Sequence, residues 1–163
     1  MKIIELDKSQ KDSLLPVLFE ILHFNMRKIV PTGNSYGEDL SAWLSCVSPA
    51  LEKEPRRILL IYDKDEIAGF FQYFVNNGLF MMEEIQFREP YQGTGVFRQL
   101  YAYLTGIIPQ STALVEAYAH KSNQKSIAIL THLGLEMIGE NEDGDCYHFR
   151  GRYKTILQRY GEK

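Results

Sequence analysis

The stretch MMEEIQFREPYQGTGVFRQLYAYL, from Met81 to Leu104, constrains this chain more than any other. Its first part alternates and is rich in strand formers, while Phe97 to Leu104 carries apolar residues at helical spacing. Between them lies the turn Gln92-Gly93-Thr94-Gly95. A strand that breaks at a Gly-rich turn and feeds a helix presents several backbone N–H groups at the helix N-terminus. With the helix dipole, those groups form a site for a phosphate or pyrophosphate. That points to a nucleotide-type cofactor rather than to a metal or a polymer. The same letters also suit a plain strand-to-helix connection whose glycines serve turn geometry. Two standard phosphate loops fail. The Walker pattern needs Lys and then Ser or Thr after the second Gly, where Val96 and Phe97 stand. The dinucleotide fingerprint needs Gly or Ala at Arg98.

With 163 residues the chain matches one domain with a real core, and a single domain over 1–163 is expected. Hydrophobic content of 45% and charged content of 24% are ordinary for a globular protein. A net charge of −3 argues against a nucleic-acid binder that works by phosphate neutralisation. Cys46 and Cys146 form no CxxC or Cys/His cluster with zinc spacing, so no metal is expected. Two buried free thiols in a reducing cytosol is the plainer reading than a disulfide. MKIIELDKSQ lacks the apolar core of a signal peptide, and no apolar run approaches the about 18 residues that span a bilayer. A cytoplasmic protein without membrane partners is expected.

Along the chain, Lys2 to Leu6 reads as a strand and Asp12 to Ile29 as a helix, with Asp12 or Ser13 as its cap and Pro16 in its first turn. Val30 to Gly37 is a loop, and a second helix covers Glu38 to Val47 with a further turn from Pro49 to Lys53. Strands follow at Arg57–Tyr62, Ile67–Val75 and Leu79–Phe87, punctuated by Asp63–Glu66 and by Asn76-Asn77-Gly78. Then come a helix from Val96 to Leu104, a strand from Ala113 to Ala119 and a helix from Asn123 to Leu133 closed by Gly134. Leu135–Gly139 and Tyr147–Ile156 read as closing strands around an acidic turn, Glu140 to Asp145. An antiparallel meander followed by β-α-β implies an α/β protein, a mixed sheet with helices on both faces.

This order and these residues resemble the GNAT superfamily of acyl-CoA-dependent N-acetyltransferases. The family pattern at the exit of the fourth strand is Gln or Arg, two residues, Gly, one residue, then Gly or Ala. Here it reads Gln92, Gly93-Thr94, Gly95, Val96, Phe97, preceded by the aromatic Tyr91. Downstream the family shows Asn, a short helix and Leu-Gly-Phe before a strand. Here Asn123, Gln124 to Leu133 and Leu133-Gly134-Leu135 stand in that arrangement. The likeness is clear from about Ile58 to Gly139 and only topological before that. It implies a mostly antiparallel, twisted sheet splayed between the fourth and fifth strands. Two departures stand out. Phe97 occupies the last motif position, and Leu130 takes the place of a Tyr that in many members protonates the leaving thiolate.

The resemblance implies acetyl-CoA as cosubstrate. It implies that N–H groups of Gly93, Thr94, Gly95 and Val96, after Gln92, hold the pyrophosphate. Backbone groups near Ile85 and Phe87 would pair with the pantetheine arm, one N–H polarising the thioester carbonyl. Both residues also read as ordinary core. Glu83 and Glu84 are adjacent acids in an apolar strand and point to opposite faces. Family members often place a base, or a water-holding acid, on this strand. Parity with Ile85 and Phe87 favours Glu83, against a reading with one acid solvated and the other ion-paired. Asn123 is placed either on the pantetheine or as a helix N-cap. Tyr118 and His120, at the end of the fifth strand, are further acid or base candidates, His120 also reading as a surface loop residue. Lys121 and Arg98 read as phosphate partners or as solvated surface. Trp43, Tyr36, His23 and Arg27 are candidates for the acceptor pocket, Trp43 also for the core.

The expected activity is transfer of an acetyl group to a primary amine by direct attack, without a covalent enzyme intermediate, since no Cys falls in the motif strand or late helix. Alternatives are a longer acyl-CoA, a non-catalytic acyl-CoA sensor or interaction module, and a fold in which Phe97 closes the cofactor site. Carboxy-terminal strands of such folds often pair, which admits a homodimer.

Overall fold

The computed structural model of the chain describes residues 1–161. Its elements are β1 (Lys2–Glu5), α1 (Lys11–Met26), α2 (Tyr36–Lys53), β2 (Arg56–Asp63), β3 (Glu66–Asn76), β4 (Leu79–Phe87), α3 (Val96–Ile107), β5 (Leu114–His120), α4 (Gln124–His132), β6 (Glu136–Glu140), β7 (Cys146–Arg152) and α5 (Tyr153–Tyr160). Short 3-10 turns stand before α1 and after β4. The strands form one seven-stranded sheet in the order β1-β2-β3-β4-β5-β7-β6. Two-residue turns join β2 to β3 and β3 to β4, which makes those neighbours antiparallel. At the second turn Asn77 (φ 49°) and Gly78 (φ 76°) are both left-handed, the backbone that a tight hairpin demands. The connection through α3 instead returns the chain parallel, pairing Leu79–Met82 with Leu114–Ala117. This mixed, mostly antiparallel sheet with a parallel β4–β5 step is the expected α/β architecture.

Contacts divide the chain into two compact units that share the strands β3 and β4 covalently. The first comprises Met1–Gln72 and Glu84–Gln92. Its core gathers Leu15, Leu18 and Ile21 of α1, Val47 and Leu51 of α2, and Ile58, Leu60 and Phe70 of the sheet. α1 begins at Lys11, so Pro16 lies in its second turn rather than its first, and neither Asp12 nor Ser13 caps it. α2 starts earlier than expected because Ser35 and Glu38 form a reciprocal capping box. It also runs unbroken through Pro49. Burial of Val47, Ala50 and Leu51 on one stripe outweighs the missing N–H. Cys46 is exposed on this helix, which corrects the expectation of two buried thiols.

The second unit comprises Tyr73–Glu83 and the residues from Gly93 onward. Leu100, Tyr101 and Leu104 form the buried stripe of α3. The Tyr101 hydroxyl donates to Met82 Sδ at 3.2 Å, and its ring packs on Tyr160 of α5. Phe80 meets Tyr73 and Tyr153 edge-on. β7 pairs with β5 from Arg152 to Cys146 and separates it from β6, the edge strand. The expected closing strand Tyr147–Ile156 is therefore only half right. The strand stops at Arg152, and Tyr153–Tyr160 is helix, burying Tyr153 and Ile156 three residues apart on one face.

Candidate active site

In the second unit, the turn after β4 has the geometry a phosphate needs. Gly93 (φ 78°) and Gly95 (φ 83°) are both left-handed, and Gly95 is the N-cap of α3. A side chain at either position would be strained by its backbone, yet a Cβ there would meet no atom within 4 Å. The turn is thus open on the side where the glycines lack side chains, and Gly93, Thr94 and Gly95 are exposed. Val96 is buried and pins the first turn of the helix beneath it. An α-helix leaves the N–H groups of its first turn without intrahelical acceptors. The bulky Phe97 does not fold over the glycines. Its ring stacks on Tyr101, one helical turn on, with centroids 5.0 Å apart. The residues present fit a pyrophosphate. Arg98, exposed in the same first turn, adds a positive charge nearby.

Further along this unit, Tyr118 and His120 lie on one face of β5. Tyr118 is exposed and stacks flat on His148 of β7, centroids 4.4 Å apart. His120 Nδ1 accepts from the Ser122 N–H at 3.1 Å, which leaves the proton of a neutral ring on Nε2. Lys121 pairs with Glu140 at 2.7 Å. Asn123 is the N-cap of α4, its Oδ1 accepting from the Ser126 N–H at 3.1 Å. Leu130 is buried in the same helix.

Sequence reasoning missed a cluster on this face of β5 and β7. Glu116, only 6% exposed, accepts from Arg150 Nε at 2.7 Å and faces His148 Nε2 at 2.8 Å. Burial pushes the Glu116 carboxyl up, but the hydrogen bonds from His148 and Arg150 outweigh it and hold the group below the ordinary carboxylate range. A lone acid amid LVEAYAH, facing alternating basic residues in CYHFRGR, was the available signal.

In the first unit, Glu84, Ile85 and Gln92 are half-buried, and Phe87 is buried with its ring over Gly69. Glu83, also half-buried, belongs to the other unit, the boundary falling between the two acids. Gln86 Nε2 donates to Glu84 Oε1 at 2.7 Å, and Asn25 Nδ2 donates to Gln86 Oε1 at 2.8 Å. Gln92 turns its side chain back to donate to the Phe87 carbonyl at 2.9 Å. Neither Asn25 nor Gln86 stands out in the sequence as a site residue. Gln86 was findable as a polar residue between Ile85 and Phe87. Of the acceptor-pocket candidates, His23, Tyr36 and Trp43 gather around the Phe19 ring at 5.3–5.7 Å, while Arg27 lies over Phe24.

The acetyltransferase (GNAT) family model matches residues 18–135, and the chain belongs to that family. Acetyl-CoA, the cosubstrate which that membership carries, suits the open turn before α3. The fold is similar to a PaiA N-acetyltransferase from Thermoplasma acidophilum solved with coenzyme A. That likeness has a TM-score of 0.73 and 12% identity over 93% of this chain and 98% of that one. It is also similar to an acetyltransferase from Thermus thermophilus, with TM-score 0.70 and 16% identity over 93% and 97% of the two chains. A variant of spermidine N-acetyltransferase SpeG from Vibrio cholerae gives 0.65 and 13% over 98% and 99%. No curated protein matches the chain in sequence.

Proposed function

We propose that the protein is a cytoplasmic N-acetyltransferase that moves an acetyl group from acetyl-CoA to a primary amine. The observation that carries this reading is the turn Gly93–Gly95, with two left-handed glycines opening α3 and nothing within 4 Å of either missing Cβ. Family membership over residues 18–135 and N-acetyltransferases among the fold's relatives support it. Among the described residues no helix is long and apolar enough to cross a membrane.

The N–H groups of Gly93, Thr94, Gly95 and Val96 would hold the pyrophosphate, and backbone groups at Ile85 and Phe87 the pantetheine arm. The thioester supplies an activated acyl group when bound. The protein's own task is to hold the amine in line and remove its proton, since an ammonium has no lone pair with which to attack. Glu83 and Glu84 are the carboxylates assigned to that proton. Tyr118 and His120 are the remaining candidates for returning one to the thiolate, because buried Leu130 has no proton to give. Asn123, whose side chain caps α4, would reach the pantetheine through its amide nitrogen.

Leu130 also favours a second reading, an acyl-CoA sensor that binds and does not turn over. Calorimetric titration with acetyl-CoA tests the cofactor site, and CoA release with a panel of primary amines separates the readings. Binding with turnover of any amine supports the enzyme. Binding without turnover supports the sensor. No binding sinks both.

A further inference from the structure

Four polar side chains in the first unit form one hydrogen-bonded line whose direction is fixed by its ends. The Phe87 carbonyl can only accept, and both Asn25 Nδ2 and Gln92 Nε2 reach it at 2.9 Å. Each amide must therefore present its NH2 side there. Asn25 Oδ1 then faces Gln92 Nε2, at 3.3 Å. Asn25 Nδ2 also donates to Gln86 Oε1 at 2.8 Å. The Gln86 amide is thereby turned so that its Nε2 points at Glu84 Oε1, 2.7 Å away. Gln86 is 8% exposed, so this orientation is enforced in a largely dry setting where a reversed amide would leave polar atoms opposed. The line starts at the motif residue Gln92, passes the last turn of α1 and ends on one strand carboxylate.

We propose that Asn25 is a positioning residue for acyl transfer, and that the line it holds selects Glu84 rather than Glu83 as the group that takes the amine proton. This rests on the acetyltransferase reading above. Glu84 Oε1 is held as an acceptor by the Gln86 amide, which steadies the heading of its carboxyl group. A base needs that placement before substrate arrives. Strand parity, which favours Glu83, weighs only the apolar neighbours and is blind to Asn25, 61 positions from Gln86.

The test uses the whole protein, labelled with 15N. Side-chain amide resonances of Asn25, Gln86 and Gln92 are followed on acidification, in wild type and in Glu84→Gln. The expected result is that all three shift with a common midpoint in wild type and that the shift vanishes in Glu84→Gln. In parallel, CoA release is measured with whichever panel amine is turned over. Asn25→Ala should lower kcat by up to about a hundredfold, the loss typical of a misplaced catalytic group, with acetyl-CoA affinity within a factor of about two. Its pH profile of kcat/KM should lose rate on the acid side first, which a merely structural defect does not produce. Gln86→Met breaks the next link and serves if Asn25→Ala does not fold. Amides that titrate independently, in a protein that acetylates an amine, overturn the proposal and leave the acetyltransferase reading standing. Coupled amides in a protein that acetylates no amine overturn it through its premise.

Discussion

Glu116 and His148 meet diagonally across the β5–β7 ladder, carboxylate oxygen to imidazole Nε2 at 2.8 Å. The register places Arg150 directly opposite Glu116 and His148 directly opposite Tyr118. One buried carboxylate is thus shared by two basic side chains on one face of the sheet. Burial raises the pKa of Glu116, and the hydrogen bonds from His148 and Arg150 lower it further than burial raises it. A group whose folded pKa is depressed stabilises the fold above its unfolded pKa, and that stability is lost as pH falls through the folded value. Glu116→Gln should therefore be less stable at pH 7 by about 1.5–3 kcal/mol, the worth of hydrogen bonds to a charged group. The deficit should shrink as both proteins are taken below the ordinary carboxylate value of 4.5. Urea midpoints from neutral to acid pH measure this, and a deficit that stays constant with pH contradicts it.

Gly69 is held by space, not by backbone angle. A Cβ there would lie 2.3 Å from the Gln86 carbonyl oxygen and 2.4 Å from Phe87 Cδ1. Gly69→Ala must therefore displace β4 just where the candidate base and the pantetheine contacts are assigned. A loss of about 1–3 kcal/mol in stability is expected from overpacking, together with weakened acetyl-CoA binding. Calorimetry and denaturant melts on the same sample check both.

At the Gly93–Gly95 turn the opposite situation holds, with room but a special backbone. Gly95→Trp should abolish acetyl-CoA binding by filling the open approach. Its cost to the fold should stay near the about 1–2 kcal/mol of forcing a side chain into the left-handed region. An unchanged dissociation constant would remove the pyrophosphate from this turn.

Ser35 accepts from the Glu38 N–H at 3.3 Å while the Glu38 carboxylate accepts from the Ser35 N–H at 2.7 Å. Ser35→Ala should cost about 1 kcal/mol. Because the Ser35 hydroxyl is the acceptor of the Glu38 N–H, hydrogen exchange at Glu38 should accelerate more than in the middle of the helix.

The parts of the fold that are legible in the sequence are those decided locally. β4 reads to its observed bounds because strand formers end at a proline and a glycine turn. The hairpin at Asn77-Gly78 is legible because its letters name its dihedrals, and Asn123 because a cap precedes its helix directly. α5 is not, since Phe149, Arg150, Gly151 and Arg152 run on from a strand and the helix has only two buried positions to betray its period. α2 reads as broken near Pro49 only when the local rule about proline takes precedence over an apolar stripe that continues past it. The candidate site divides the same way. The glycine turn is a local motif and is visible as one. The Glu116 cluster needs the β5–β7 register, and the amide line needs α1 beside β4, neither of which any window of sequence contains.

Phe97 shows what a pattern written in residue sizes leaves out. Its ring is spent along the helix axis, flat against Tyr101, so the opening over the glycines keeps its width although the residue at that place is among the largest available. A side chain's heading, set here by a tyrosine one turn downstream, governs access where bulk alone would forbid it. In this chain an aromatic at the motif position leaves the glycine turn open because another ring stands four residues on to receive it.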